Sequence, residues 1–207
     1  MAEAEAEITQ KHLTPHYHAL GSSEALIYRL IRLRALSESP SYFGSTFARE
    51  LAFSLETWQT RLKNPDSVMF LATSRAVLKP EDSLASDGWV HPAQFETSDR
   101  LHYGMICCIK SFEDPTDVLI VSFWVAPLAR RKGIGRKLVN LALEWARSHQ
   151  TFKAALLNVQ MDNIEARHLY ERCGFTSIGE DPQDPDGLRY IHHLRRASGD
   201  TAHTKSA

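Results

Sequence analysis

The chain has 207 residues, 43% hydrophobic and 24% charged, with a formal net charge of −1 at pH 7. That length and apolar content suit one ordinary globular domain with a real core, and the near-neutral balance excludes a global electrostatic pull toward nucleic acid or an anionic membrane. Three cysteines, Cys107, Cys108 and Cys173, in a chain with no apolar signal segment point to free thiols in a reducing compartment rather than a disulfide frame.

Residues 1–14 read as a disordered polar tail, and the acidic start Met1–Glu7 is the reverse of a mitochondrial or secretory leader. One domain is expected over 15–195. His16–Leu20 reads as a short strand ended by Gly21-Ser22-Ser23, which also offers an N-cap. His16 and His18 share one strand face at metal-like spacing, but with no Cys or carboxylate partner nearby no metal is expected. Leu26, Ile27, Leu30, Ile31, Leu33 and Leu36 recur at helical spacing, predicting an amphipathic helix that ends before Pro40. After a loop and cap at 41–46, Leu51, Leu55, Trp58 and Leu62 form a core stripe through a broken helical stretch to Asn64-Pro65. Val68–Ala72 is a buried strand. Residues 79–103 make a connection of unusual length for a compact domain, which reads as a functional lid or a disordered insert. Gly104–Ile109 and Val118–Val125 are neighbouring strands joined by a turn at 113–117, so a β-meander results. The longest apolar run, Val118–Ala126 broken by Ser122, is far too short to span a bilayer.

Next comes the most informative stretch, Val125–Leu138, where a β-type run stops at Pro127 and becomes a basic, glycine-punctuated turn opening a helix. Backbone N–H groups at a helix start have no intrahelical partners, and the helix dipole adds about half a positive charge there. Main chain alone can therefore hold a phosphate. Gly133 and Gly135 are read as letting a ligand approach the backbone closely, while Arg130, Arg131, Lys132, Arg136 and Lys137 add charge. No GK[ST] follows, and the dinucleotide fingerprint would need a glycine at Leu138 and an acid near Ala154–Leu157. The local pattern leaves open any phosphate ligand, or a plain solvated turn.

Leu138, Leu141, Ala142 and Trp145 then share a helical face up to Ser148, and Ala155–Val159 is a short strand. Asp162 or Asn163 caps a helix whose core side is Ala166, Leu169 and Tyr170 or Cys173, with Gly174 as its C′ residue. Thr176–Gly179 and Leu188–Leu194 form a final hairpin before a flexible tail at 196–207. The order β, α, α, three β, α, β, α, β, β makes an α/β (α+β) arrangement with a mixed, mostly antiparallel sheet flanked by helices.

The R-x-x-G-x-G run Arg130–Gly135, directly after a strand and Val125-x-Pro127, resembles motif A of the GNAT superfamily of acetyl-CoA-dependent N-acetyltransferases. About thirty residues on, Asn163–Phe175 resembles its motif B, N-x-x-A-x-x-L-Y-E-x-x-G-F. Upstream, Arg32–Leu36, Pro40, Phe43–Thr46, Glu50 and Trp58 are similar to the first helices of a common microbial subgroup. The resemblance covers about 20–195 and departs at 79–103, where relatives usually have a tight turn.

It implies a GNAT fold that transfers acetyl from acetyl-CoA to a primary amine by direct attack in a ternary complex. The loop Arg130, Arg131, Lys132, Gly133, Ile134, Gly135 and Arg136 would bind the CoA diphosphate. Val125, at a bulge where the fourth strand splays from the fifth, would polarise the acetyl carbonyl through its N–H. Tyr170 would protonate the departing thiolate, and Asn163 would contact the pantetheine arm or hold the cleft. Trp124, Ala126 and Asn158 belong to the same implied set of cofactor contacts. The alternative for Tyr170 is core packing, and for the whole domain a non-catalytic acyl-CoA-binding or regulatory module. No general base is legible: Glu50, His102, Glu113 and Asp117 are candidates, each otherwise a surface group. The acceptor is a protein or small-molecule amine, with no nucleic acid, membrane or metal. A cytoplasmic monomer or homodimer is expected, the nucleus remaining open.

Overall fold

The computed structural model describes residues 15–74 and 102–194. The two expected tails and the 79–101 part of the long connection lie outside the described residues. His102 and Tyr103, expected at the end of that connection, instead begin a strand. The elements are β1 (His16–Ala19), α1 (Ala25–Glu38), α2 (Phe47–Leu51), α3 (Leu55–Lys63), β2 (Ser67–Thr73), β3 (His102–Lys110), β4 (Asp117–Val125), α4 (Ile134–Ser148), β5 (Ala154–Gln160), α5 (Ile164–Arg172), β6 (Thr176–Asp181) and β7 (Asp184–His193).

They build one seven-stranded sheet in the order β1-β2-β3-β4-β5-β7-β6. Only β4 and β5 run parallel; the other neighbours are antiparallel. A parallel pair needs a long crossover, and α4 supplies it by packing across β2, β3 and β4, while α1 and α3 lie against β3 and β2. Cys107 and Cys108, adjacent on β3, sample the two faces. Cys108 Sγ reaches the Ala142 carbonyl on α4, and the Cys107 thiol feels the charges of Arg32 and Arg61.

The apolar face of α4 is Ile134, Leu138, Val139, Ala142, Leu143 and Ala146. Leu141 and Trp145, expected at the centre of that face, sit half-buried at its edge. The second helical stretch is broken between α2 and α3, where Ser54 caps α3 by accepting the Thr57 N–H at 3.3 Å. Trp58 is fully buried edge-on against Tyr28, but Leu51 and Leu55 are exposed, so the expected core stripe reduces to Trp58 and Leu62.

The space beside α1 is filled by charge. Glu50 and Arg32 are buried together, with Arg32 Nη2 at 2.8 Å and Nε at 3.2 Å from the carboxylate, and Arg61 Nη1 adds a contact at 3.5 Å. This tie joins α1, α2 and α3. Burial alone would raise the Glu50 pKa, but hydrogen bonds from Arg32 and Ser45 and the charges of Arg32 and Arg61 more than offset it, holding the carboxyl below its ordinary 4.5. A depressed folded pKa adds stability that is present above the ordinary value and lost as pH falls through the folded one. Arg32→Met should cost about 3–5 kcal/mol in urea unfolding at neutral pH, because it strands a buried carboxylate. The loss should shrink as the pH is lowered below 4.5, and Arg32→Met with Glu50→Leu should recover most of it.

Candidate active site

β4 and β5 are paired only along Asp117–Leu119 and Ala154–Leu156. Beyond that they part, and the cause is on β4. Met105 faces Trp124 and Cys107 faces Val121, so Ser122 and Phe123 together oppose Ile106 in a bulge. Ser122 has φ 55, in the left-handed region that non-glycine residues rarely enter. The sequence reading placed the bulge at Val125; it lies three residues earlier.

Its consequence nevertheless reaches Val125. Ser111 N donates to the Asp117 carbonyl, so Val118 and Lys110 are a non-hydrogen-bonded pair, and strict alternation from there would pair Val125 with Tyr103 and bond the Val125 N–H to β3. The extra residue shifts the register by one. Val125 instead faces Gly104, and the Ala126 N–H takes the Tyr103 carbonyl at 2.9 Å. The N–H and C=O of Val125 therefore point into the gap toward β5. Arg130 Nε caps that carbonyl at 3.1 Å, which leaves the N–H.

The chain then turns through Arg131 (φ 63) and Gly133 (φ 80) into α4. Left-handed residues alternating with right-handed ones aim successive amides into one concavity. Gly133 is the N-cap and offers no capping side chain, and the first turn holds no acid. Gly133 meets the positive φ with open space around it. Gly135 has a different reason: a Cβ there would lie 3.1 Å from Leu169 Cδ2 and 3.2 Å from Phe123 Cζ. Close packing of α5 and β4 on α4 favours glycine here, a reason separate from the ligand approach expected from sequence.

The far wall is α5. Asn163 Oδ1 caps it by accepting the Ala166 N–H at 3.2 Å. At the other end Phe175 N donates to the Tyr170 carbonyl and Gly174 N to the Glu171 carbonyl, both at 3.0 Å, with Gly174 at φ 87. That is a Schellman stop. Tyr190 donates to Glu171 at 3.0 Å and pins the helix to β7. Tyr170 is 6% exposed, its ring against Phe123 (5.8 Å) and Phe175 (5.9 Å). Its hydroxyl makes no hydrogen bond among the described residues. Burial, with a smaller push from Cys173, raises the phenol pKa well above 10.

Together these surfaces enclose a cleft of about 510 Å³. Of the catalytic and cofactor contacts that the resemblance implies, Trp124, Val125, Arg130, Arg131, Gly133, Gly135, Arg136, Asn163 and Tyr170 line it. Four do not. Ala126 and Ile134 are buried behind it, Lys132 is exposed outside it, and the Asn158 amide donates to Asp181. The reading missed Ser39, Tyr42 and Phe43, whose aromatic pair after α1 was a usable signal, and the Glu165, His168 and Arg172 face of α5, which follows i, i+3, i+7 spacing.

None of the base candidates lines the cleft. Glu50 is locked in its ion pair, Glu113 takes Arg189, and Asp117 stands at the opposite end of β4 from Val125. Among the described residues, no group of three or more His, Cys, Asp or Glu is arranged to hold a metal ion, and no helix is long and apolar enough to cross a membrane. His18, expected to have no carboxylate nearby, bonds Glu24 at 3.1 Å.

Residues 81–175 match the model of the acetyltransferase (GNAT) family. The chain is 31% identical over 107 residues to the 5-NmdU N-acetyltransferase of Pseudomonas phage PaMx11, covering 52% of this chain and 71% of that protein. It is 38% identical over 55 residues to the spermidine N(1)-acetyltransferase of Vibrio cholerae, covering 27% of this chain and 32% of that one. Among solved structures, the V. cholerae spermidine N-acetyltransferase in complex with CoA and spermine superposes with TM-score 0.57 at 18% identity, covering 87% of this chain and 95% of that one. A GNAT-family acetyltransferase from Streptococcus pneumoniae gives 0.60 at 13%, covering 87% and 99%. At these identities the structural likeness establishes the fold.

The Asn163 cap can be separated from any ligand contact. Asn163→Ala should lower unfolding free energy by about 1 kcal/mol through the lost cap, and Asn163→Ser, which still caps, should restore most of it. Urea unfolding of the ligand-free protein reads this directly.

Proposed function

This chain belongs to the GNAT family of acetyltransferases, and from that premise we propose that its cleft carries acetyl from acetyl-CoA to a primary amine by direct attack within a ternary complex. Family membership establishes N-acetyl transfer; the roles of individual atoms rest on the cleft's geometry. The observation that carries the reading is the pairing of an inward-facing Val125 N–H with an unbonded Tyr170 phenol on one cleft.

The CoA diphosphate lies on the amides of the 131–135 turn, where backbone dipoles and Arg130, Arg131 and Arg136 offer positive charge. The pantetheine arm follows the gap between β4 and β5, and Trp124 and Asn163 flank it. With the thioester carbonyl at Val125, the amine nitrogen attacks the carbonyl carbon and an oxyanion forms. The N–H stabilises that charge without reorganising, because the bulge has already aimed it. As the carbon–sulfur bond breaks, Tyr170 gives its proton to the thiolate, and the new amide nitrogen's surplus proton restores the phenol. Holding both reactants in one cleft supplies much of the remaining acceleration.

Ser39, Tyr42 and Phe43 form the acceptor end. Two relatives are named for different acceptors, 5-NmdU and spermidine, which agrees with specificity set outside the cofactor contacts. Free thiols at Cys107, Cys108 and Cys173 favour a reducing compartment, the cytoplasm.

Titration calorimetry should show acetyl-CoA and CoA binding, and a CoA-release screen over peptide, lysine, polyamine and small-amine acceptors should find a substrate. No binding of either cofactor would sink the proposal. Tyr170→Phe should lower kcat by about 10²–10⁴ with CoA affinity kept, whereas a change under about threefold would remove Tyr170 as the acid. Because burial raises its pKa, Tyr170 stays a proton donor through pH 10, so it should cause no alkaline fall in rate below that pH.

A further inference from the structure

α5 carries Tyr170, and the end of that helix is held by a side chain that the proposed chemistry does not use. His192, half-buried on β7, puts Nδ1 3.0 Å from the Gly174 carbonyl at the helix stop and Nε2 3.0 Å from Arg147 Nη2 in the last turn of α4. Its ring also packs on Phe175, with centroids 5.2 Å apart. One imidazole therefore joins α4, β7 and the end of α5. Near the cleft α4 and α5 already touch through Gly135 and Leu169, so the imidazole is a second junction between them, at the other end of α4.

The two partners fix the state of the ring. A carbonyl only accepts, so Nδ1 carries the hydrogen; a guanidinium only donates, so Nε2 is bare. The ring is neutral, in the tautomer that bonds both neighbours at once. Burial lowers its pKa from the ordinary 6.5, and the charges of Arg147 and His193 act in the same direction, against an opposing pull from the Gly174 carbonyl. Arg147 faces it from α4 and His193 stands beside it on β7, while β5 sets Ala155 opposite and Glu171, in the last turn of α5, is taken by Tyr190. Arg147 alone has an ordinary explanation, since a cation suits a helix C-terminus. That does not account for its bond to an imidazole that must be neutral to accept it.

The helix stop fits this ring closely. Besides the positive φ of Gly174, a Cβ there would lie 3.2 Å from both Nδ1 and Cε1 of His192. The same stop holds Tyr170, because Phe175 N donates to the Tyr170 carbonyl at 3.0 Å and the Phe175 ring lies 5.9 Å from the phenol ring. We infer that His192 is a positioning residue for Tyr170: as the neutral Nδ1–H tautomer it locks the stop of α5 to α4 and β7, and so holds the phenol's place in the cleft. The lock is independent of the chemistry, and its bearing on acetyl transfer rests on the reading of Tyr170 as the acid. Protonation would make Nε2 a donor facing a guanidinium, so the bond to α4 would be lost while the bond to Gly174 stayed.

Nitrogen NMR of the full-length, ligand-free protein reads the ring directly. His192 should show a protonated Nδ1 and a bare Nε2 at neutral pH and take up its second proton below the ordinary 6.5; a protonated Nε2 at neutral pH would overturn the inference. Amide hydrogen exchange and tyrosine ring signals, with Tyr170 assigned through Tyr170→Phe, then read the lock in His192→Ala and His192→Gln. A glutamine amide can donate to Gly174 and accept from Arg147 without titrating. His192→Ala should cut protection of the Gly174 and Phe175 amides about tenfold or more and shift the Tyr170 ring signals, and His192→Gln should restore most of both. Unchanged protection with an unmoved Tyr170 ring in His192→Ala would overturn the lock, as would an equal loss spread through β2 and β3, which marks a merely structural residue. With the amine that the CoA-release screen identifies, His192→Ala should lower kcat about tenfold or more at unchanged CoA affinity and cost nothing further in Tyr170→Phe. Additive losses would overturn the link to Tyr170. If Tyr170→Phe alone has no effect, the reading of Tyr170 as the acid fails, and the NMR measurements still decide the lock.

Discussion

One extra residue in β4 organises the site. Without Ser122 in its left-handed conformation, the β3–β4 ladder would continue in register, use the Val125 N–H for ordinary pairing, and leave a closed sheet. A non-glycine residue in that region costs on the order of 1–2 kcal/mol, and the surroundings hold it there. Ile106, opposite the bulge, and Trp124, just after it, are both buried, so the distortion sits within packed core. The bulge also sets Phe123 against Tyr170 and within reach of Gly135. A single local distortion thus parts the strands, aims an amide and builds the contact surface for both helices of the cleft.

The rest of the frame is rigid where the site needs position and charged where it needs a ligand. α5 is fixed at both ends by its Asn163 cap and Schellman stop, and at its flank by Tyr190 on Glu171. The Tyr42–Phe43 end of the cleft is braced from behind: the Arg32 guanidinium lies 4.6 Å from the Phe43 ring centroid and Arg34 lies 5.3 Å from that of Trp124. Arg32 is in turn held by Glu50. The same carboxylate that reads as a possible base in the sequence is therefore a strut under this end of the cleft, since a buried carboxylate saturated by two arginines has no reason to accept a proton.

What the sequence disclosed and what it withheld follow a physical division. Periodicity, caps and glycine stops are local, and they placed the helices, the meander and the C′ role of Gly174 within a few residues. The R-x-x-G-x-G and N-x-x-A-x-x-L-Y-E-x-x-G-F runs are local too, which is why the basic turn opening α4 and the place of Tyr170 on α5 were legible. Ser122 was visible only as a polar break in an apolar run, because backbone handedness is set by the partner strand. Gly135 carried no sign that Leu169 would press on it, and nothing in the sequence tied Asn158 to Asp181 across β7. Leu51 and Leu55 fit a stripe, yet no described element covers them. Each miss turns on which parts of the chain do or do not meet in the fold.

The thiols and the phenol together constrain the order of bond making. Burial pushes the Cys107 thiol up to about 12 and the Cys108 thiol well above its ordinary value, with Cys107 adding to the latter. Burial also raises the half-buried Cys173, against a partial opposing pull from Arg136. A nucleophilic cysteine needs a depressed pKa and an electropositive, accessible setting, and none of the three has both. The acetyl group then has no sulfur on the protein to rest on. Tyr170, kept neutral by the same burial, can give a proton but cannot serve as a resting base at neutral pH. A protein without an activated thiol suits the proposed reaction, in which the amine itself attacks the thioester while CoA is still bound, so that both substrates share the cleft before either product leaves.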